Sequence, residues 1–107
     1  MKKYDVKLLP AAYSDLDEIF DYIMVNNQES ANGILDNIIL SLHRLGNYPH
    51  SGAPLLDCSL KKFNFKMVVV DPYIAFYRLI DDQILVYRIL HGARNCPHLL
   101  EKMMKLK

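Results

Sequence analysis

The chain has 107 residues, of which 51% are hydrophobic and 23% charged, and its formal net charge is +1 at pH 7. This size predicts a single domain over residues 1–107, and the apolar content excludes an intrinsically disordered chain. The small net charge argues against a general nucleic-acid binder, because such proteins rely on a large basic excess to contact phosphates.

No segment of the sequence predicts export or membrane insertion. Pro10 interrupts the short apolar stretch that follows Lys2 and Lys3, so the N-terminus is not typical of a secretory signal. No apolar run approaches the roughly 18 residues of a membrane span. We therefore predict a cytoplasmic protein without membrane association, in which Cys58 and Cys96 remain free thiols and pack as small apolar side chains.

The first half of the chain predicts one strand and two helices. Residues 4–9 alternate polar and apolar side chains, which indicates a short strand. Pro10 suits the first turn of a helix, and apolar residues then recur at helical spacing over residues 11–27. A second helix is predicted over residues 29–45, with Gly46 as its stop signal. Since the link between them is short, the two helices should form an antiparallel hairpin.

The second half predicts strands. Residues 46–60 contain several glycines and prolines and indicate an irregular connection. Runs rich in aromatic and β-branched residues then predict three strands, at 61–70, 73–80 and 83–91. Asp71-Pro72 and Asp81-Asp82 are the tight turns between them, and Pro97 opens a short C-terminal helix.

Segregated helices and antiparallel strands indicate an α+β fold. The predicted order is an N-terminal strand, a helical hairpin packed on an antiparallel sheet with a C-terminal three-stranded meander, and a short C-terminal helix. The sheet face without helices should be available to partners. The C-terminal tail either packs back onto the helices or docks on a partner as a mobile segment, for which Met103 and Met104 would suit an adaptable surface.

The last predicted strand ends in cationic and imidazole groups. By strand alternation, Arg88 and Leu90 should share one face, and Tyr87, Ile89 and His91 the other. The side chains expected to line one edge of the sheet are Lys66, Arg88, His91 and Arg94. Lys and Arg there would stabilise a phosphate, and His91 would act as a general acid or base, as in a metal-independent ribonuclease.

The structural alternative for these residues needs no ligand. Arg88 would pair with a carboxylate of the first helix, such as Asp17 or Asp21, and His91 would cap the strand end. A metal site is disfavoured, although His91, Cys96 and His98 lie close in sequence, because their spacing matches no zinc pattern. We predict no metal and no cofactor.

Several segments resemble one family in order and spacing. They include Asp15–Ile19 with Tyr22-Ile23 on the first helix, residues 34–45 on the second, residues 73–77 and 84–88, and His91-Gly92-Ala93-Arg94-Asn95. With these features the chain resembles the RelE/ParE superfamily of bacterial toxin–antitoxin toxins. The resemblance implies a cognate antitoxin that covers apolar grooves of the helical hairpin and an unpaired sheet edge, and a heterotetramer with that antitoxin.

Two activities occur in this superfamily. RelE-like members cleave mRNA in the ribosome with Lys and Arg side chains on the sheet, whereas ParE-like members poison DNA gyrase. This sequence departs from the RNA-cleaving pattern: Ile74 stands where an Arg is usual, only Lys66 remains of a basic cluster, and Asn95 replaces an acidic residue. Losing those cations removes much of the expected transition-state stabilisation.

We therefore predict a ParE-like toxin that arrests growth by binding a protein target such as DNA gyrase, without enzymatic activity. The residues expected at its binding surface are Lys66, Tyr77, Arg88, His91 and Arg94. The alternative is a RelE-like, ribosome-dependent mRNA endoribonuclease in which Lys66, Arg88 and Arg94 handle phosphate and His91 moves protons. A further alternative is an inactive member that acts only as an antitoxin-binding partner.

Overall fold

A computed structural model describes residues 4–26, 28–55, 60–92 and 96–105. The elements, in chain order, are β1 (Asp5–Leu8), α1 (Pro10–Asn26), α2 (Gln28–Leu45), β2 (Ala53–Pro54), a 3₁₀ turn (Lys61–Phe63), β3 (Lys66–Val70), β4 (Tyr73–Ile80), β5 (Gln83–His91) and α3 (Cys96–Lys105). The predicted α+β class is confirmed, and both long helices lie within about a residue of their expected bounds.

The helical hairpin packs on one face of the sheet through apolar stripes. On α1 the buried stripe contains Ala12, Ile19 and Ile23, and on α2 it contains Ile38, Leu42 and Leu45. These spacings of four, three or seven residues bring side chains to one side of a helix. The stripes meet β-strand residues such as Tyr73, Ala75, Ile84, Val86 and Ile89 in the first of two apolar clusters.

The sheet is mixed, with strand order β1-β5-β4-β3-β2. β3, β4 and β5 form the predicted antiparallel meander, but β1 runs parallel to β5, with Val6 opposite Ile84. The predicted antiparallel sheet thus describes the meander, and the parallel pairing of β1 with β5 was not predicted. A parallel neighbour needs a long connection, and here the helical hairpin and the first two strands of the meander supply it.

Two local features of the 46–70 region differ from expectation. The predicted strand at 61–70 begins only at Lys66, because Lys61–Phe63 form a 3₁₀ turn and Asn64 takes a left-handed φ of 56°. Such a φ interrupts an extended chain. The connection before it contains β2, whose Pro54 is tolerated because the strand lies at the sheet edge.

A β-bulge divides β5 into two segments. Phe76 of β4 pairs with Arg88, whereas the next residue, Tyr77, pairs with Val86, so that Tyr87 is the additional residue. Consequently Tyr87 packs with Leu90 in the second apolar cluster, while Ile89 belongs to the first. The predicted common face of Tyr87 and Ile89 is wrong, because simple alternation does not allow for the bulge.

The second apolar cluster covers the sheet face opposite the helical hairpin. Its buried members are Leu60, Phe65, Phe76, Tyr87, Leu90, Cys96 and Leu100. The amphipathic helix α3 contributes Cys96 and Leu100, so the tail packs as core, on the sheet and not on the hairpin. The expectation that this face stays open is therefore wrong. Within the described ranges, every helix is too short or too polar to span a lipid bilayer.

Candidate functional site

Arg88 is bound to a carboxylate of α1. Its Nε donates to Asp15 Oδ2 at 2.7 Å and its Nη2 to Asp15 Oδ1 at 2.9 Å, while the backbone N–H of Ile89 donates to Oδ2 at 3.0 Å. The hydrogen bond to Asp15 raises the pKa of Arg88, and burial opposes this shift only in part. The predicted pairing of Arg88 with a carboxylate of the first helix is thus confirmed, although the partner is Asp15. The Nε/Nη2 edge of its guanidinium is therefore already occupied.

The partner is Asp15 because the helix turns that residue inward. Asp15 is only 5% exposed, whereas Asp17 and Asp21, the partners suggested by sequence, are exposed. Asp15 also lies beside the edge of β5 that faces away from β4, where β1 pairs no further than Val86. Its carboxylate therefore accepts the Ile89 N–H that an adjacent strand would otherwise bind.

Tyr77 cannot belong to an exposed binding surface in this structure. Its side chain is fully buried, its hydroxyl donates to the Pro49 carbonyl at 3.0 Å, and the same oxygen accepts the Gly52 N–H at 3.0 Å. Burial raises the pKa of Tyr77, and the hydrogen bond from Gly52 lowers it less. The prediction of Tyr77 as a contact residue is wrong, because the hydroxyl holds the connection after α2.

Lys66 and His91 do not line one edge. Lys66 pairs with Tyr77, whereas His91 pairs with Tyr73, four residues away along β4. At about 3.3 Å per residue and 4.8 Å per strand spacing, their backbones are roughly 16 Å apart. Lys66 and His91 are therefore not neighbours at one edge of the sheet, and the predicted grouping is wrong. Arg94, the remaining member, lies outside the described residues.

His91 is the exposed imidazole at the end of β5. Its ring meets the ring of Tyr73 edge-on, with centroids 5.6 Å apart. Burial raises the pKa of Tyr73, and the neighbouring Tyr22 adds to this shift. Among the predicted contact residues that the structure describes, His91 is exposed to solvent and Lys66 is half-buried.

Sequence reasoning missed Arg78, which lies on the second sheet face. Its guanidinium stands among the rings of Phe63, Phe65 and Tyr87 and donates to the Phe63 carbonyl and the Tyr87 hydroxyl. A signal was present: Arg78 is two residues from Phe76 on the same strand, so alternation places a cation on the same face as a large core ring.

Within the described ranges, no three His, Cys, Asp or Glu side chains lie close enough together to bind one metal ion. Cys96 is buried and forms no disulfide, and its thiol donates to the His91 carbonyl at 3.8 Å, whereas Cys58 lies outside those ranges. The prediction of no metal and no cofactor stays a prediction.

The helical hairpin carries exposed apolar side chains on its outer surface. They are Tyr13, Phe20, Tyr22 and Val25 on α1 and Ile39 and Leu40 on α2. At the β2 edge of the sheet, β2 pairs with β3 only at Lys66 and Met67, and the side chain of Val69 on β3 is 62% exposed. Large exposed apolar side chains that cluster on one element are typical of interaction surfaces.

Known proteins resemble this chain in sequence pattern and in fold. A family model described as the ParE toxin of the type II toxin–antitoxin system, parDE, matches residues 6–96. A solved structure titled "Chromosomal ParDE TA system from P. aeruginosa" has a similar fold, with a TM-score of 0.69 and 21% identity over 83% of this chain and 96% of that chain. No curated protein sequence matches significantly. The family model covers most of the chain, and this chain therefore belongs to the ParE family of type II toxin–antitoxin toxins.

Proposed function

We propose that this toxin arrests growth by binding DNA gyrase and that a cognate antitoxin neutralises it. The observation that carries the gyrase proposal is the placement of the cationic side chains, added to the family match. Arg88 is bound to Asp15, and Lys66 is about 16 Å from His91. Within the described part of the chain, this arrangement does not concentrate positive charge around one phosphate, as RNA cleavage requires.

The antitoxin is proposed to cover the outer surface of the helical hairpin and the open edge of β3. Tyr13, Phe20 and Ile39 offer apolar side chains there. Val68–Val70 pair only with β4 among the described strands, so an extended segment could extend the sheet at this edge. We also propose that the complex is a heterotetramer and, because gyrase is an intracellular enzyme, that the toxin is cytoplasmic.

Induced expression in bacteria, combined with a gyrase assay, tests the activity. We expect growth arrest, a DNA-damage response, intact mRNA, and inhibition of supercoiling by purified gyrase. Arrest with cleaved mRNA and normal supercoiling would favour the ribonuclease, and folded protein without arrest would favour the inactive member. Either result would contradict the proposal.

Surface variants link the effect to residues. His91→Ala and Lys66→Met should weaken gyrase inhibition without loss of fold, whereas His50→Ala, in the exposed loop after α2, is the matched control and should change nothing. For the partner, co-expression with the adjacent reading frame should relieve arrest, and light scattering of the purified complex should give a heterotetramer mass.

A further inference from the structure

Arg78 is held in one position by neutral groups. Its Nε donates to the Phe63 carbonyl at 2.7 Å and its Nη1 to the Tyr87 hydroxyl at 3.0 Å. The guanidinium carbon is 5.8 Å from the ring centroids of Phe63 and Phe65 and 5.7 Å from that of Tyr87. Such contacts fix a guanidinium through its faces and through two of its three nitrogens, so that little side-chain entropy remains to be lost on binding.

No carboxylate among the described residues neutralises this cation. Arg88 on the neighbouring strand offers a direct comparison, because it uses Nε and Nη2 to bind both oxygens of Asp15. At Arg78 the partners are a carbonyl and a hydroxyl, and Nη2 makes no hydrogen bond with the described part of the chain. A half-buried guanidinium is ordinarily paired, since burial without an opposite charge is costly.

A second cation stands beside Arg78. The Nζ of Lys62 is 5.2 Å from the centroid of the Phe63 ring, the same ring that Arg78 contacts. Lys62 is exposed, whereas Phe63 and Leu85, the residue opposite Arg78 on β5, are half-buried. The surface therefore combines two positive charges with an apolar rim.

We propose that Arg78 and Lys62 bind the carboxylate of an Asp or Glu side chain in an acidic segment of a protein partner. The Nη2 group of Arg78 can donate to a carboxylate oxygen, and the apolar rim suits the side chains that flank a carboxylate in a peptide. A nucleic acid is disfavoured because phosphate binding depends on many cations, and the chain has a net charge of +1. The inference does not depend on gyrase being the target.

Nuclear magnetic resonance of the full-length protein tests this site through the Nε–Hε signals of its arginines. The probes are the peptide acetyl-Leu-Glu-Glu-Leu-amide, its glutamine counterpart, inorganic phosphate and a short oligothymidylate. We expect the glutamate peptide to shift the Arg78 signal and to leave that of Arg44, an exposed arginine on α2, unchanged. The glutamine peptide and phosphate should have little effect.

Two variants and a control separate binding from folding. Arg78→Lys keeps the charge but loses the fixed planar guanidinium and its Nη2 donor, and should weaken binding of the glutamate peptide about tenfold. Lys62→Met, at an exposed position, should weaken it about two- to fivefold. Arg44→Lys is the matched control and should bind as the original chain does. Thermal melting of each variant confirms that the same folded protein is compared.

The proposal is overturned if the glutamate peptide leaves the Arg78 signal unmoved, or if Arg78→Lys and Lys62→Met both bind it as tightly as the original chain. It is also overturned if phosphate binds as tightly as the peptide, which would indicate a general anion site, or if only oligothymidylate shifts Arg78, which would indicate nucleic acid. The supercoiling assay is a separate measurement, so failure here leaves the gyrase proposal standing.

Discussion

Replacing Asp15 with alanine should destabilise this protein strongly although no apolar core residue is changed. The substitution removes the carboxylate that accepts two hydrogen bonds from Arg88 and one from the Ile89 N–H. The side chain of Arg88 is only 19% exposed. A mostly buried guanidinium and a buried N–H would then lose their partner without gaining full access to water.

The expected magnitude follows from this burial. Removing one partner of a buried ion pair costs about 3–5 kcal/mol. The total free energy of unfolding of such a domain is about 5–15 kcal/mol, so the loss is a large fraction of it. At about 4–8 °C per kcal/mol for a domain near this size, Tm should fall by at least about 12 °C.

Urea unfolding followed by circular dichroism measures the effect, and a double-mutant cycle assigns it. Asp15→Ala, Arg88→Met and the double variant are compared with the original chain. The double variant should be more stable than the sum of the single losses predicts, because neither charge is then left unpaired. Asp17→Ala, an exposed carboxylate on the same helix, is the control and should change stability by no more than about 0.5 kcal/mol. A loss below about 1 kcal/mol for Asp15→Ala, or strict additivity in the cycle, would refute the reasoning.

Other predictions test the remaining contacts. Tyr77→Phe should cost about 1–3 kcal/mol, because Gly52 N–H and a carbonyl lose their shared partner. Because burial raises the pKa of Tyr77 in the folded chain, the unfolded chain loses this proton first above pH 10, and the free energy of unfolding falls as pH rises. In urea titrations at several pH values, Tyr77→Phe should make this alkaline fall shallower. Gly52→Ala should lower Tm, since its Cβ would collide with Tyr77 Oη and lie 2.8 Å from the Met67 carbonyl oxygen; an unchanged Tm would contradict the packing. Leu100→Ala should cost about 2–5 kcal/mol in urea unfolding if α3 is core, and a negligible loss would show a tail that is not packed. At Asp81, whose φ is 56°, Gly should be more stable than Ala by about 1–2 kcal/mol in a melting comparison, and equal stability would contradict that backbone conformation.

Periodic patterns predicted the elements of this fold well. Apolar residues at helical spacing located α1 and α2, and two-residue turns bounded β4 and β5 as expected. These patterns are local, so a single sequence is sufficient to show them. The parallel pairing of β1 with β5 was not predicted, because which strands become neighbours depends on contacts between residues far apart in the chain.

The candidate site was harder to predict than the elements. Its residues were chosen for chemical character, but their exposure depends on the bulge at Tyr87 and on which carboxylate α1 turns inward. Arg88 was thus recognised as an ion-pair candidate without its partner, Asp15. Tyr77 was assigned to the surface because nothing local shows that its hydroxyl holds the backbone at Pro49 and Gly52.

The Asp15 carboxylate has a mechanical consequence for the whole toxin. Beyond Val86, the final segment of β5 is joined to β4 on one side and to α1, through Asp15, on the other. A partner that displaced α1 from the sheet would break the hydrogen bond between Asp15 and Ile89 and so release the end of β5, which bears His91. This coupling is reciprocal. A ligand that binds the strand end more tightly while α1 is packed on the sheet would oppose the displacement of α1 by the same free energy.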